Sequence, residues 1–158
     1  MVLPKNKQKE GTELFTFAPW IDDNGKPKIQ LRTWVIRSIR RPRRTEIEKR
    51  VDIIKTPLVK ISNKVDGITF EKGQWVDHIL KRFSDYTLTF NIDSPLPYDL
   101  WTTELAAIKS AVANSKSYIK SCKDTLKSEP ECGETIQELQ EEMLLLPVLE
   151  RKLNKLKS

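Results

Sequence analysis

The period of the hydrophobic pattern changes once along this chain of 158 residues, and that change limits the folds available to it. Between residues 13 and 93, apolar side chains mostly recur at every second position, which is typical of β-strands. From Leu105 onward they recur at alternating steps of three and four, the repeat of a helix that packs along one seam. We therefore expect an α+β protein in which a strand-rich body precedes a pair of helices.

The first part of the body predicts two long strands joined by a tight turn. The segments "ELFTFAPW" (residues 13–20) and "KIQLRTWVIRSI" (residues 28–39) alternate between apolar and polar side chains, and Asn24-Gly25 between them is a strong turn signal. In the second strand, one face is apolar and is expected to meet the core, and its members are Ile29, Leu31, Thr33, Val35 and Ile39.

Further elements follow in the body. Asp66-Gly67 predicts the turn of another hairpin, the segment at residues 74–83 has a helical period, and residues 85–92 return to a period of two. The body is expected to be a small antiparallel β-sheet, or a barrel like that of oligonucleotide-binding domains, with one short helix. The predicted divisions are a flexible tail at 1–12, a β-rich body with a basic hairpin at 13–93, and a helical hairpin at 100–157.

The C-terminal part predicts two helices that pack against each other in antiparallel fashion. "KSEPECGE" separates them, and Pro147 is expected to kink the second. The seam of the first helix is predicted to consist of Leu105, Ile108, Val112, Ser115, Ile119, Cys122 and Leu126. That of the second is predicted to consist of Ile136, Leu139, Met143 and Leu146, and to continue after Pro147 with Leu149, Leu153 and Leu156.

Leucines crowd the second helix on more than one side. A two-helix hairpin cannot cover all of them, so they must meet the β-body, another copy of the chain or another protein. We expect a contact with other protein subunits at Leu145, Leu146 and Leu149.

Positive charge is concentrated in one part of the chain. The net charge of the whole is +6, whereas residues 26–50 alone carry ten Lys or Arg against two Glu. A local excess of this kind indicates a polyanionic partner. Strand patterns on both sides of "RRPRR" predict a β-hairpin with Pro42 at its tip, because proline cannot donate to a strand ladder.

The basic hairpin is expected to bind the phosphate backbone of a nucleic acid, as RNA or single-stranded DNA. Arginine clamps phosphate with two parallel hydrogen bonds, and Trp34 beside Arg32 would offer a base-stacking surface, which favours RNA slightly. The predicted nucleic-acid contacts are Arg32, Trp34, Arg37, Arg40, Arg41, Arg43, Arg44, Lys49 and Arg50. The alternatives are an acidic protein partner, a solvated charged hairpin with Trp34 in the core, or a nuclear-import signal.

Residues that carry chemistry are few. His78 is the single histidine, and Cys122 and Cys132 lack metal-ligand spacing, so we predict no catalytic residues, no metal site and no cofactor. No apolar run is long enough for a membrane span, and the N-terminus lacks the hydrophobic core of a signal peptide. A cytoplasmic location is therefore expected.

The sequence thus predicts a non-enzymatic, nucleic-acid-binding accessory subunit of a larger nucleoprotein complex. The alternative is a structural or adaptor protein, such as one of a virus or phage, whose basic hairpin binds an acidic protein surface.

Overall fold

The fold was examined in a computed structural model of the chain. It describes residues 1–44, 56–64, 68–71, 74–77, 87–97 and 99–158. Their contacts divide the chain into two compact units. The sheet unit comprises Met1–Phe15 and Arg32–Thr102, and the helical unit comprises Thr16–Leu31 and Thr103–Ser158.

The architecture is α+β, with an antiparallel four-stranded sheet and two long C-terminal helices. Among the described residues the strands form this sheet, in the order β1-β2-β3-β6, and a separate two-stranded sheet of β4 and β5. The strands are β1 (Glu13–Ile21), β2 (Pro27–Arg40), β3 (Leu58–Asn63), β4 (Ile68–Glu71), β5 (Gln74–Asp77) and β6 (Thr87–Asn91).

The turn between β1 and β2 lies where Asn24-Gly25 predicts it. The Asp22 carboxylate accepts hydrogen bonds from the backbone N–H groups of Asn24 and Lys26, at 2.9 and 2.8 Å. Gly25 has a φ of +74°, a backbone conformation that residues with a Cβ atom rarely adopt. Thr16–Leu31 of this hairpin belong to the helical unit, and β3 pairs with the other end of β2, from Trp34 to Arg40.

A register shift in β2 corrects the predicted core face. Pairing with β3 slips between Ile36 and Ser38, so one extra residue, Arg37, lies in β2 there. Before the shift Trp34 and Ile36 meet this core cluster, and after it Ile39 does. Thr33 and Val35 lie on the opposite face of β2, where Val35 is also buried, at 6% exposed. The buried members of this core are Leu3, Leu14, Ile36, Val59, Ile61, Ile92, Leu96 and Leu100.

Leu3 and Thr12 are buried among the first twelve residues, which corrects the prediction of a flexible tail at these positions. Leu3 is 2% exposed and belongs to the core of the sheet unit. The Gly11 N–H donates to the Ile36 carbonyl, and the Ile36 N–H donates to the Thr12 carbonyl, each at 2.9 Å. The segment is polar in composition, but the burial of Leu3 and its backbone hydrogen bonds to Ile36 hold it against the sheet unit.

Two other local predictions differ from the structure. β3 pairs with β2 and β6, and β4 pairs with β5, so the hairpin expected across Asp66-Gly67 is not formed between β3 and β4. The helix expected at residues 74–83 begins instead as β5, paired with β4 through Phe70 and Trp75. Its remainder, residues 78–83, lies outside the described residues.

The helical hairpin is confirmed. Helix α1 spans Glu104–Ser128 and helix α2 spans Gly133–Lys157. The Thr103 hydroxyl accepts a hydrogen bond from the Ala106 N–H at 3.1 Å and caps the start of α1. Most of the predicted α1 seam is buried or half-buried, as expected from its heptad spacing.

The buried face of α2 coincides only in part with the predicted seam, because Leu149 is buried whereas Ile136 and Met143 are exposed. Leu145 is 6% and Leu149 0% exposed, whereas Met143 is 53% exposed. Leu145 and Leu149 are buried and Leu146 is half-buried, so these three do not form an open surface for the protein contact expected from the sequence. The length and period of the apolar pattern predict a helix here. They do not predict which side of it is buried, because apolar residues occur on several sides.

Polar contacts also join the two helices. The Tyr118 hydroxyl of α1 donates a hydrogen bond to Glu138 of α2, which, together with burial and nearby acidic groups, raises the pKa of Tyr118 to about 12. Further along, Lys116 of α1 and Glu150 of α2 lie 3.7 Å apart. Neither helix, nor any other part of the chain that the structure describes, offers a span long and apolar enough to cross a membrane.

Candidate nucleic-acid interface

The arginine cluster consists of Arg37, Arg40, Arg41, Arg43 and Arg44. It lies at the end of β2 and on the chain that follows. Arg41, Arg43 and Arg44 are exposed, whereas Arg37 and Arg40 on the strand are half-buried. The Arg40 Nη1 atom donates to the Arg41 carbonyl at 3.4 Å, next to the strand end.

Lys60 extends this positive surface onto the neighbouring strand. The register pairs Ser38 with Lys60 and Arg40 with Leu58, so Lys60 and Arg40 lie on the same face of the sheet. Lys60 is exposed, and the residue beyond it on β6 is the uncharged Thr89. Sequence reasoning missed Lys60, although a lysine that interrupts the apolar run "LVKIS" indicates the outward face of a strand.

Arg40 pairs with Leu58, so residues 41–57 connect β2 to β3. The hairpin predicted with Pro42 at its tip has its second strand at residues 47–53, so the pairing of β2 with β3 does not test it and it stays a prediction. Lys49 and Arg50, and the strand predicted at residues 47–53, lie outside the described residues.

Trp34 does not form an open stacking surface with Arg32. Its side chain is half-buried and packs against the core of the sheet unit, while Arg32 on the same strand is exposed. Arg32 is also eight positions from Arg40 along β2, which at about 3.3 Å per residue separates it by more than about 20 Å. The register therefore places Lys60 on the same face of the sheet as Arg40, with Arg41, Arg43 and Arg44 following the strand end, and Arg32 and Trp34 lie apart from them.

The position of Trp34 predicts a stability effect. Replacing Trp34 with alanine should lower the free energy of unfolding by about 2 kcal/mol or more, because it removes a large apolar side chain from the core edge. The control is Trp20→Ala, since Trp20 is 44% exposed and should lose under about 1 kcal/mol. Urea denaturation of both variants checks this, and equal losses would contradict the core position of Trp34.

Other polar groups were examined for chemistry. Within the described ranges, no three His, Cys, Asp or Glu side chains are grouped so that they could hold a metal ion. Cys122 is a buried thiol, the Cys132 Sγ atom lies 3.2 Å from the Thr135 hydroxyl, and His78 lies outside the described residues.

A cavity of about 420 Å³ lies in the sheet unit beside Gly11. Its charges are balanced, because Lys7 and Lys9 are accompanied by Glu10 and Glu13. Glu13 is in turn paired with Lys64 at 2.7 Å. This cavity therefore lacks the net positive charge of the arginine cluster and is a weaker candidate for a polyanion.

The chain was also compared with known proteins. No family model matches it, and neither the curated proteins nor the solved structures show a significant similarity to it. The arginine cluster and Lys60 are therefore the features of this chain that bear most directly on its function.

Proposed function

We propose that this protein is a non-enzymatic nucleic-acid-binding subunit that contacts the phosphate backbone through the arginine cluster and Lys60. The observation that carries the proposal is the arrangement of exposed cations. Arg41, Arg43 and Arg44 follow the strand end, and Lys60 lies on the adjacent strand. No acidic residue occurs between Arg37 and Arg44.

Phosphate is the anion that suits this surface best. Guanidinium groups bind phosphate oxygens in two-pronged fashion, and each contact releases counterions condensed on the nucleic acid. Lys60 adds a point charge next to them. Contacts of this kind hold the backbone and do not read sequence, so similar affinities are expected for unrelated sequences.

The packing of Trp34 bears on the type of nucleic acid. A preference for RNA was expected from a base stacked on Trp34, and that side chain packs against the core. The proposal therefore covers RNA and single-stranded DNA alike, through the backbone they share. It includes an accessory role in a larger nucleoprotein complex and a cytoplasmic location, and it includes no catalytic step.

Lys60→Ala tests the newly assigned contact. Removing one phosphate contact should flatten the slope of log K against log salt by about 0.7 on a single strand and weaken binding severalfold. The probe is a fluorescently labelled RNA of about 20 nucleotides, followed by anisotropy. Lys28→Ala is the matched control, because Lys28 is an exposed lysine of β2 outside the cluster.

The same titration separates this function from an adaptor role. A polyglutamate peptide of equal charge should compete weakly, because carboxylates of a flexible peptide do not reproduce the regular charge density of a nucleic acid. If polyglutamate bound more tightly than RNA, single-stranded DNA and double-stranded DNA, the proposal would be contradicted and an acidic protein partner would be favoured.

A further inference from the structure

The face of the sheet that carries Lys60 also carries hydroxyl groups next to it. Strand register pairs Lys60 with Ser38 of β2 on one side and with Thr89 of β6 on the other. Side chains of directly paired residues lie on the same face, with their Cβ atoms about 5 Å apart. Ser38, Lys60 and Thr89 therefore form one row across three strands, in which a cation lies between two hydroxyls. We call it the Lys60 row.

The Lys60 row is the accessible part of this face on β3. Lys60 and Thr89 are exposed, and Ser38 is half-buried. The neighbouring residues of β3 on the same face are Leu58 and Ser62, and both are buried. A ligand that reaches the face at this row therefore meets the Lys60 ammonium group with the Thr89 hydroxyl on the adjacent strand.

An ammonium group with a hydroxyl beside it matches a ribonucleotide better than a deoxyribonucleotide. The 2′-hydroxyl of ribose is on the carbon next to the one that carries the 3′-phosphate, so these two groups of one nucleotide lie close together. The 2′-hydroxyl both donates and accepts hydrogen bonds, as a threonine hydroxyl does. When Lys60 holds the phosphate, the 2′-hydroxyl lies within reach of a side chain on the next strand.

We propose that the Lys60 row distinguishes RNA from single-stranded DNA. Lys60 binds a phosphate, and the 2′-hydroxyl of the same nucleotide donates a hydrogen bond to the Thr89 Oγ1 atom. Thr89 is assigned this contact because it is exposed, whereas Ser38 is half-buried. The inference rests on the proposed function and adds a substrate class to it. It depends on strand register and not on base stacking by Trp34, which packs against the core on the opposite face.

A comparison of RNA and DNA with one sequence tests the preference. The probes are fluorescently labelled single strands of about 20 nucleotides, composed of adenine and cytosine so that the two strands differ only at the 2′ position. The wild-type protein should bind the RNA about threefold to tenfold more tightly, which is the effect of one net hydrogen bond. RNA with 2′-O-methyl groups lacks the O–H donor and should bind as weakly as the DNA.

Substitutions of Thr89 connect the preference to the Lys60 row. Thr89→Val keeps the shape of the side chain and removes its hydroxyl, so the affinity for RNA should fall to that for DNA. The affinity for DNA should change by less than about twofold, and the salt slope should stay the same because no charge is lost. Thr89→Ser is the matched control, since it keeps a hydroxyl and should retain the preference. Position 89 is exposed, so both variants should fold.

The outcomes separate this inference from the proposed function. Equal binding of RNA and DNA by the wild-type protein would overturn the inference and leave binding to the phosphate backbone in place. An RNA preference that persists in Thr89→Val would do the same. Binding of neither oligonucleotide would overturn the proposed function and the inference together.

Discussion

Replacing Leu149 with alanine is expected to lower the free energy of unfolding by about 2 to 5 kcal/mol. Leu149 is 0% exposed and lies one turn from Leu145, which is 6% exposed, on the buried side of α2. The substitution removes apolar contacts and leaves a cavity that the surrounding helices fill only in part. Urea denaturation followed by far-ultraviolet circular dichroism measures the change.

Leu144→Ala is the matched control, because it makes the same chemical change in the same helix. Leu144 is 50% exposed, so its loss should alter the free energy of unfolding by no more than about 0.5 kcal/mol. The measurement is made at about 2 µM protein, so that self-association of the chain contributes little to the free energy of unfolding. If Leu144→Ala destabilised the fold as much as Leu149→Ala, the orientation of α2 described here would be wrong.

The contrast between these leucines shows what local pattern can predict. The two helices follow from a repeat that lies within each segment, so their existence and approximate bounds could be predicted from the sequence. Which face of α2 is buried could not be predicted, because Ile136, Met143 and Leu149 supply apolar side chains on several sides. The choice between those faces depends on packing against α1 and on the rest of the helical unit.

In the sheet unit, the errors have different physical causes. The extra residue at Arg37 changes which side of β2 meets the core, and one inserted residue leaves almost no trace in an alternating pattern. Strand partners were mispredicted because pairing of β3 with β2 and β6 joins residues far apart in the chain. A turn signal such as Asp66-Gly67 cannot report such partners.

The candidate site was only partly predictable, for a related reason. Local charge density identified the arginine cluster directly from the sequence. Lys60 lies on the face of Arg40 because of the strand register, and Trp34 is unavailable for base stacking because it packs against the core. Both effects depend on tertiary structure. The predictions for Lys49 and Arg50 remain predictions.

The arginine cluster itself should have the largest effect on binding. Changing Arg41, Arg43 and Arg44 together to alanine should flatten the slope of log K against log salt by about 2 units on single-stranded RNA, from about 0.7 per phosphate contact. All three side chains are exposed and lie beyond the end of β2, so the fold should be retained. The affinity at low salt should fall together with the slope.

A variant with the same loss of charge provides the control. Lys109, Lys120 and Lys123 are exposed on α1, and changing all three to alanine also removes three positive charges. Because these residues lie outside the proposed interface, the slope should change by less than about 0.5. Equal effects of the two triple variants would indicate a response to net charge alone.

The salt dependence of RNA binding therefore decides whether the arginine cluster holds the phosphate backbone. Anisotropy titrations of wild-type protein and both triple variants, over a series of salt concentrations, give the three slopes. We expect a slope about 2 units shallower for the arginine variant and a nearly unchanged slope for the lysine variant. A wild-type slope retained by the arginine variant, with its fold intact by circular dichroism, would contradict the proposed interface.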